Sequence, residues 1–134
     1  MPAISDIEGI GPVHAAQLRK AGVRSTDALL KAGCTRKGRQ ELAKAIGSTP
    51  KAILEWVNRA DLYRVKGIGA QYSDLLEAAG VDTVPELSIR QPKPLLETLA
   101  KVNEKKNLVN QLPGLGRVQA WIKFAKSLKR IVEY

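Results

Sequence analysis

The stretch IEGIGPVHAAQLRKAGVRSTDAL (residues 7–29) returns as VKGIGAQYSDLLEAAGVDTVPEL (residues 65–87), 58 positions further on and without a gap. Gly9-Ile10-Gly11 falls on Gly67-Ile68-Gly69, and Leu18 falls on Leu76. Ala21-Gly22-Val23 falls on Ala79-Gly80-Val81, and Leu29 on Leu87. Self-similarity at a fixed offset marks a duplicated structural unit. The likeness continues more weakly. Glu41-Leu42-Ala43-Lys44 resembles Thr98-Leu99-Ala100-Lys101 if one residue is dropped, and ILEWVNRA (53–60) resembles VQAWIKFA (118–125), with Trp56 opposite Trp121. The reading is therefore one unit of about 60 residues present twice, as residues 1–64 and 65–134. The two halves are expected to share a core as one compact fold, not to separate into independent domains.

The punctuation of both copies is helical. Apolar residues recur at helical spacing, and the alternation of a strand is nearly absent. Pro12 suits the first turn of a helix, where its missing N–H costs little. Gly22 and Gly80 follow apolar helical segments as C-terminal caps. Ser25, Thr83 and Thr35 are placed to cap the helices that follow them, the last of which ends at Gly47. Thr49-Pro50 opens a longer helix with Ile53, Trp56, Val57, Ala60 and Tyr63 on one face. Pro92 and Pro94 open another, with Leu95, Leu99 and Val102 inward. After Pro113 a last helix carries an apolar stripe of Val118, Trp121, Ile122, Ala125, Leu128 and Val132. The segment KKNLVN (105–110) reads as loosely specified. The expectation is an all-α fold of eight to ten helices with no sheet.

At each Gly-Ile-Gly a helix enters a turn and another leaves it. Glycine permits positive φ and close approach of another backbone, while the central isoleucine points inward and locks the turn. Free N–H groups at the start of the outgoing helix, together with its dipole, make an anion site that suits a phosphate. The pattern IEGIG with Ala15 and Leu18, and again VKGIG with Ser73 and Leu76, resembles the helix-hairpin-helix motif of DNA-binding domains. That resemblance implies a turn that holds DNA or RNA backbone phosphate through main-chain amides, without base specificity, and that sometimes holds a monovalent cation on its carbonyls. GVRSTDALL and GVDTVPELS are similar to the phrase after the hairpin in recombinase N-terminal domains and in the C-terminal domain of RNA polymerase alpha subunits. The phrases ELAKAIGSTPKAILEWVNRADLYRVKGIG and VQAWIKFAKSL resemble a bacterial family of duplicated helix-hairpin-helix proteins of unknown function.

Many DNA-binding hairpins have Lys or Arg two residues after the second glycine, whereas this chain has Val13 and Gln71. Glu8 beside the first turn repels phosphate, and Lys66 at the equivalent place attracts it. The second turn is thus the better candidate. The backbone-binding set from the two turns is Gly9, Ile10, Gly11, Lys66, Gly67, Ile68, Gly69 and Gln71. LPGLGRVQAWI (112–122) offers a third Gly-x-Gly, but its place in the repeat matches the start of a helix.

Charge supports the same reading. The 134 residues carry 22 Lys and Arg against 13 Asp and Glu, a formal net charge of +9, and such a surplus attracts polyanions. From Lys105 to Arg130 there are basic residues and no acidic ones. Arg117, Lys123, Lys126, Lys129 and Arg130 are expected largely opposite the apolar stripe of the last helix, as a solvated face or a backbone-binding one. Arg36, Lys37 and Arg39 form a second cluster. Trp56 and Trp121 read as core, and Tyr63 and Tyr72 as half-buried.

Other classes find little support. Cys34 is the single cysteine and His14 the single histidine, so no intramolecular disulfide and no zinc site built from Cys and His is available within the chain. The segment MPAISDIEGIG lacks the pattern of a signal peptide, and no run approaches the ~20 apolar residues of a membrane span. A cytoplasmic protein is expected, with a monomer favoured. Phosphate-loop, catalytic-triad and metal-carboxylate patterns are missing, so the protein is not expected to be an enzyme. One remote alternative is an abasic-site lyase using Lys66 as a Schiff-base lysine, although the catalytic Asp of such enzymes has no counterpart here. The leading expectation is sequence-independent binding of DNA, or of structured RNA. The main rival is a protein-interaction adaptor, and a third possibility is a small anionic ligand at the turns.

Overall fold

A computed structural model describes residues 4–7 and 9–134 of the chain. Among them it contains a short 3-10 turn, Ile4–Asp6, eight α-helices and no strand. The helices are α1 (Pro12–Lys20), α2 (Thr26–Gly33), α3 (Arg36–Ile46), α4 (Pro50–Leu62), α5 (Ala70–Ala78), α6 (Val84–Ser88), α7 (Pro92–Lys106) and α8 (Leu115–Ser127). None of the helices is long and apolar enough to cross a membrane.

The chain divides into two compact units. The first holds residues up to Asp61 together with Ile131–Tyr134, and the second holds Leu62–Arg130. The division therefore falls a few residues before the Arg64–Val65 boundary expected from the repeat, and the last four residues return to the first unit.

Local chemistry explains the helix ends. The Ser25 hydroxyl accepts the Ala28 N–H at 3.1 Å, and the Thr83 hydroxyl accepts the Glu86 N–H at 3.1 Å. Thr35 caps α3 in the same way through the Gly38 N–H. Helices α1 and α5 finish alike. Val23 donates to the Leu18 carbonyl and Val81 to the Leu76 carbonyl, both at 2.8 Å, while Gly22 and Gly80 donate to Arg19 and Glu77. These are the paired bonds of a Schellman ending, which satisfy carbonyls left over at a helix C-terminus.

In the second unit, Leu62, Val65, Ile68, Leu76, Leu87, Leu95, Leu99, Val118 and Trp121 belong to one buried cluster drawn from that unit alone. Helix α8 packs on α6 and α7, and α5 packs on α7. In the first unit α3 packs on α1 and α2. Leu18, Leu29, Ile53 and Val57 have no exposed surface there.

Three expectations need correction. The apolar stripe of the last helix does not run to Val132: α8 stops at Ser127, and Leu128 is extended (φ −78°, ψ 136°). Val132 is nonetheless buried, because the tail docks on the first unit. The segment 105–110 is tied down. Asn107 closes α7 in the left-handed conformation, and the Asn103 side chain brackets Val109, accepting its N–H at 3.0 Å and donating to its carbonyl at 3.1 Å. Arg39 is not a surface base: it is only 4% exposed. Its guanidinium donates to the Gly33 carbonyl at 2.8 Å and to the Glu133 carbonyl at 2.5 Å.

Arg39 thus clamps the tail, and other bonds reinforce it. The Glu133 N–H donates to the Cys34 carbonyl at 2.7 Å, Arg36 donates to the Tyr134 carbonyl at 2.7 Å, and the Tyr134 hydroxyl donates to Asn58 at 3.2 Å. Removing residues 131–134 exposes the site filled by Val132 and leaves a buried guanidinium short of an acceptor. The expected loss in urea unfolding is on the order of 3 kcal/mol, from one buried Val side chain and one charge-assisted hydrogen bond. An unchanged unfolding midpoint would show that the tail contributes nothing.

Candidate nucleic-acid interface

Each unit builds its Gly-Ile-Gly turn from the same parts. In the first, Ile10 donates to the Ile7 carbonyl at 3.1 Å; in the second, Ile68 donates to the Val65 carbonyl at 3.1 Å. Both isoleucines are buried, as expected from their place in the turn. Gly9 has φ +93° and Gly67 φ +92°, a region that side chains with a Cβ rarely adopt. A tryptophan occupies the space each glycine leaves. A Cβ on Gly9 would stand 3.1 Å from Trp56 Nε1, and one on Gly67 would stand 3.1 Å from Trp121 Nε1.

A second ring completes each set. His14 lies 5.4 Å from Trp56, tilted by 54°, and Tyr72 lies 5.2 Å from Trp121, tilted by 57°.

The second glycine of each turn does a different job. Gly11 (φ −80°) and Gly69 (φ −105°) are extended N-caps, so positive φ is needed only at Gly9 and Gly67. A Cβ at Gly11 or Gly69 would meet nothing within 4 Å. Neither cap carries a side-chain hydrogen bond to the helix it starts. The first-turn amides of an α-helix have no intrahelical acceptor, so at both turns these donors stand beside open space.

The two turns differ in charge and in donor count. Helix α1 begins with Pro12, which has no N–H. Helix α5 begins with Ala70, Gln71 and Tyr72, all of which do. Gly67, Lys66 and Gln71 are exposed. Arg117 on α8 reaches the first turn of α5: its guanidinium donates to the Tyr72 hydroxyl at 3.1 Å and lies 5.7 Å from the centre of that ring. The Tyr72 hydroxyl in turn donates to the Gln111 carbonyl at 3.3 Å. Beneath the turn, Trp121 is only 1% exposed and its Nε1–H has no acceptor among the described residues.

The first turn shows a different surface. Val13 is 69% exposed and lines an apolar hollow with Pro12, Ala16, Gln17 and Lys20. Glu8, expected to repel phosphate there, lies outside the described residues.

The other basic candidates scatter. Lys123 and Lys126 lie on the flank of α8 that faces the α6–α7 connection, away from Arg117. Lys129 and Arg130 follow the end of α8, so they are not part of a continuous helical stripe. Lys37 is exposed on the first turn of α3, beside Arg36. Lys66 is exposed, without the apolar enclosure that activates a Schiff-base lysine. The segment 112–116 has no helix running into it: α7 ends at Lys106, and Gly114 simply caps α8.

The pairing of Arg117 with Tyr72 escapes a reading by charge alone. Its trace in the sequence is that Tyr72 occupies the place of His14, and that Arg117 directly precedes the repeated phrase containing Trp121.

Fold and site define an all-helical protein with two glycine turns, each backed by a buried tryptophan. The chain belongs to the family described as a domain of unknown function (DUF4332), whose model matches residues 8–128. Neither curated proteins nor solved structures give a match.

Two substitutions separate the roles of the glycines. Gly67→Ala forces a Cβ into positive φ and against Trp121, and is expected to cost about 1–3 kcal/mol. Gly69→Ala places its methyl in open space on extended backbone and is expected to stay within about 1 kcal/mol of the parent. Thermal unfolding of both variants checks this; equal losses would refute the distinction.

Proposed function

We propose that this protein binds nucleic-acid backbone without sequence preference, with duplex DNA as the first ligand to test, and that the second Gly-Ile-Gly turn makes the principal contact. In this reading the two units are copies of one helix-hairpin-helix plan. The observation that carries it is the uncapped start of α5, where Lys66 adjoins the turn and Arg117 reaches its first-turn residue. Free amides, the helix dipole and two cations all favour a phosphate at one place. The unpaired N–H of Trp121 beneath the turn adds to the positive character of the site. The net charge of +9 supports attraction of a polyanion at longer range.

The first turn suits a different partner. Its outgoing helix lacks one amide at Pro12 and shows the apolar hollow around Val13. This favours a second reading, in which α1 contacts another protein and the chain acts as an adaptor.

Fluorescence anisotropy with labelled duplex DNA at several salt concentrations tests the main reading. If about four phosphates are contacted, log affinity should fall with log salt at a slope of about −3.6. Lys66→Glu should weaken binding of all sequences alike and reduce the slope by about one. Absence of binding at low salt, or a slope near zero, would remove the proposal.

A further inference from the structure

The second unit holds a cleft that the turn does not use. It lies between the α6–α7 connection and α8, with a volume of about 650 Å³. That is within the range of clefts that hold small ligands (about 300–1,000 Å³). Its polar lining is cationic: Lys123 and Lys126 with Gln119 on the α8 wall, and Arg90 with Gln91 on the connection. The Glu86 carboxylate, one helical turn before Arg90, is engaged by Arg90 at 2.9 Å. The lysines keep their charge exposed, so the cleft is net positive.

The wall from the connection offers apolar surface: Pro92 lines it and Ile89 is 73% exposed, while Ile122 on the α8 wall is buried. The backbone fixes that exposure. Ile89 caps α6, and the next residue, Arg90, donates its N–H to the Leu87 carbonyl at 3.1 Å. Arg90 also reaches the Gly80 carbonyl at 3.4 Å. A lone surface isoleucine needs no explanation. An isoleucine held outward over a cleft with two lysines on its far wall is an amphipathic recognition surface.

Phosphate fits this cleft less well than it fits the turn. Helix α7 opens beside the cleft, but Pro92 and Pro94 remove two of the amides that a phosphate would use. An apolar rim gives a sugar-phosphate backbone nothing to hold. An acidic peptide with an apolar side chain satisfies both walls: its carboxylates meet Lys123 and Lys126, and its apolar residue covers Ile89 and Pro92. We propose that the cleft between the α6–α7 connection and α8 docks a short acidic segment of a partner protein, anchored by one apolar side chain. This docking is separate from the nucleic-acid binding proposed at the turn, which involves the opposite flank of α8.

The test is selection of a random dodecapeptide display library on the intact chain. Enriched peptides are then synthesised, and their affinities measured by anisotropy. The expected peptides carry acidic residues next to an apolar one. The double variant Lys123→Glu/Lys126→Glu should weaken them by about tenfold or more, through charge reversal at the contact. Ile89→Ser, a surface change that leaves the core untouched, should weaken the peptides while leaving duplex DNA affinity as it was. The proposal is overturned if no enriched peptide depends on Lys123 and Lys126. It is equally overturned if duplex DNA, in place of peptide, shifts the backbone amide resonances of Ser88, Ile89, Arg90, Gln91 and Lys93 in the parent protein.

Discussion

The second unit turns on the contact between Gly67 and Trp121. The glycine sits at φ +92°, and the indole fills the space where a Cβ would project. Each partner makes the other necessary. A residue with a Cβ strains the backbone and meets the ring. A smaller side chain in place of the tryptophan leaves a hole in a close-packed core. Because the ring comes from α8 and the turn precedes α5, one contact fixes where α5 begins and which way its free amides face. Gly9 and Trp56 repeat the arrangement in the first unit at the same 3.1 Å spacing.

With the turn fixed, the neighbouring side chains set its charge and polarity. The first turn leads into a helix with Pro12 at its start and Val13 outward. The second leads into a helix with three first-turn amides, and has Lys66 beside it and Arg117 held on Tyr72. The same backbone geometry therefore carries unlike chemistry in the two units. The two units share their buried tryptophans and isoleucines, and their rims differ. Helix α8 shows a similar economy, with Arg117 on one flank and Lys123 and Lys126 on the other.

What could be read from the sequence was what local rules govern. The Schellman endings at Gly22 and Gly80, the caps at Ser25, Thr35 and Thr83, and the inward Ile10 and Ile68 follow from short-range spacing. Long-range partners were hidden. Arg39 looked like a surface base because it stands in a basic run, yet its acceptors are Gly33 and the distant Glu133. Leu128 and Val132 stand four apart, so they mimic the continuation of a helix that has already ended at Ser127. KKNLVN looked slack because nothing within it shows that Asn103 reaches over to Val109. At the turns, composition does not reveal that the first glycine supplies the unusual φ while the second only leaves space. The site was legible as a motif, and its charge only in part: Lys66 was visible by alignment with Glu8, whereas the meeting of Arg117 and Tyr72 required the fold.

We propose that the start of α5, with its uncapped amides, is an open anion site. An amide-resolved proton–nitrogen NMR titration with a short DNA duplex at low salt tests it most directly. The largest shifts are expected on the N–H signals of Ala70, Gln71 and Tyr72, with the indole N–H of Trp121 moving in step. Saturable binding that leaves those four signals where they were would contradict it.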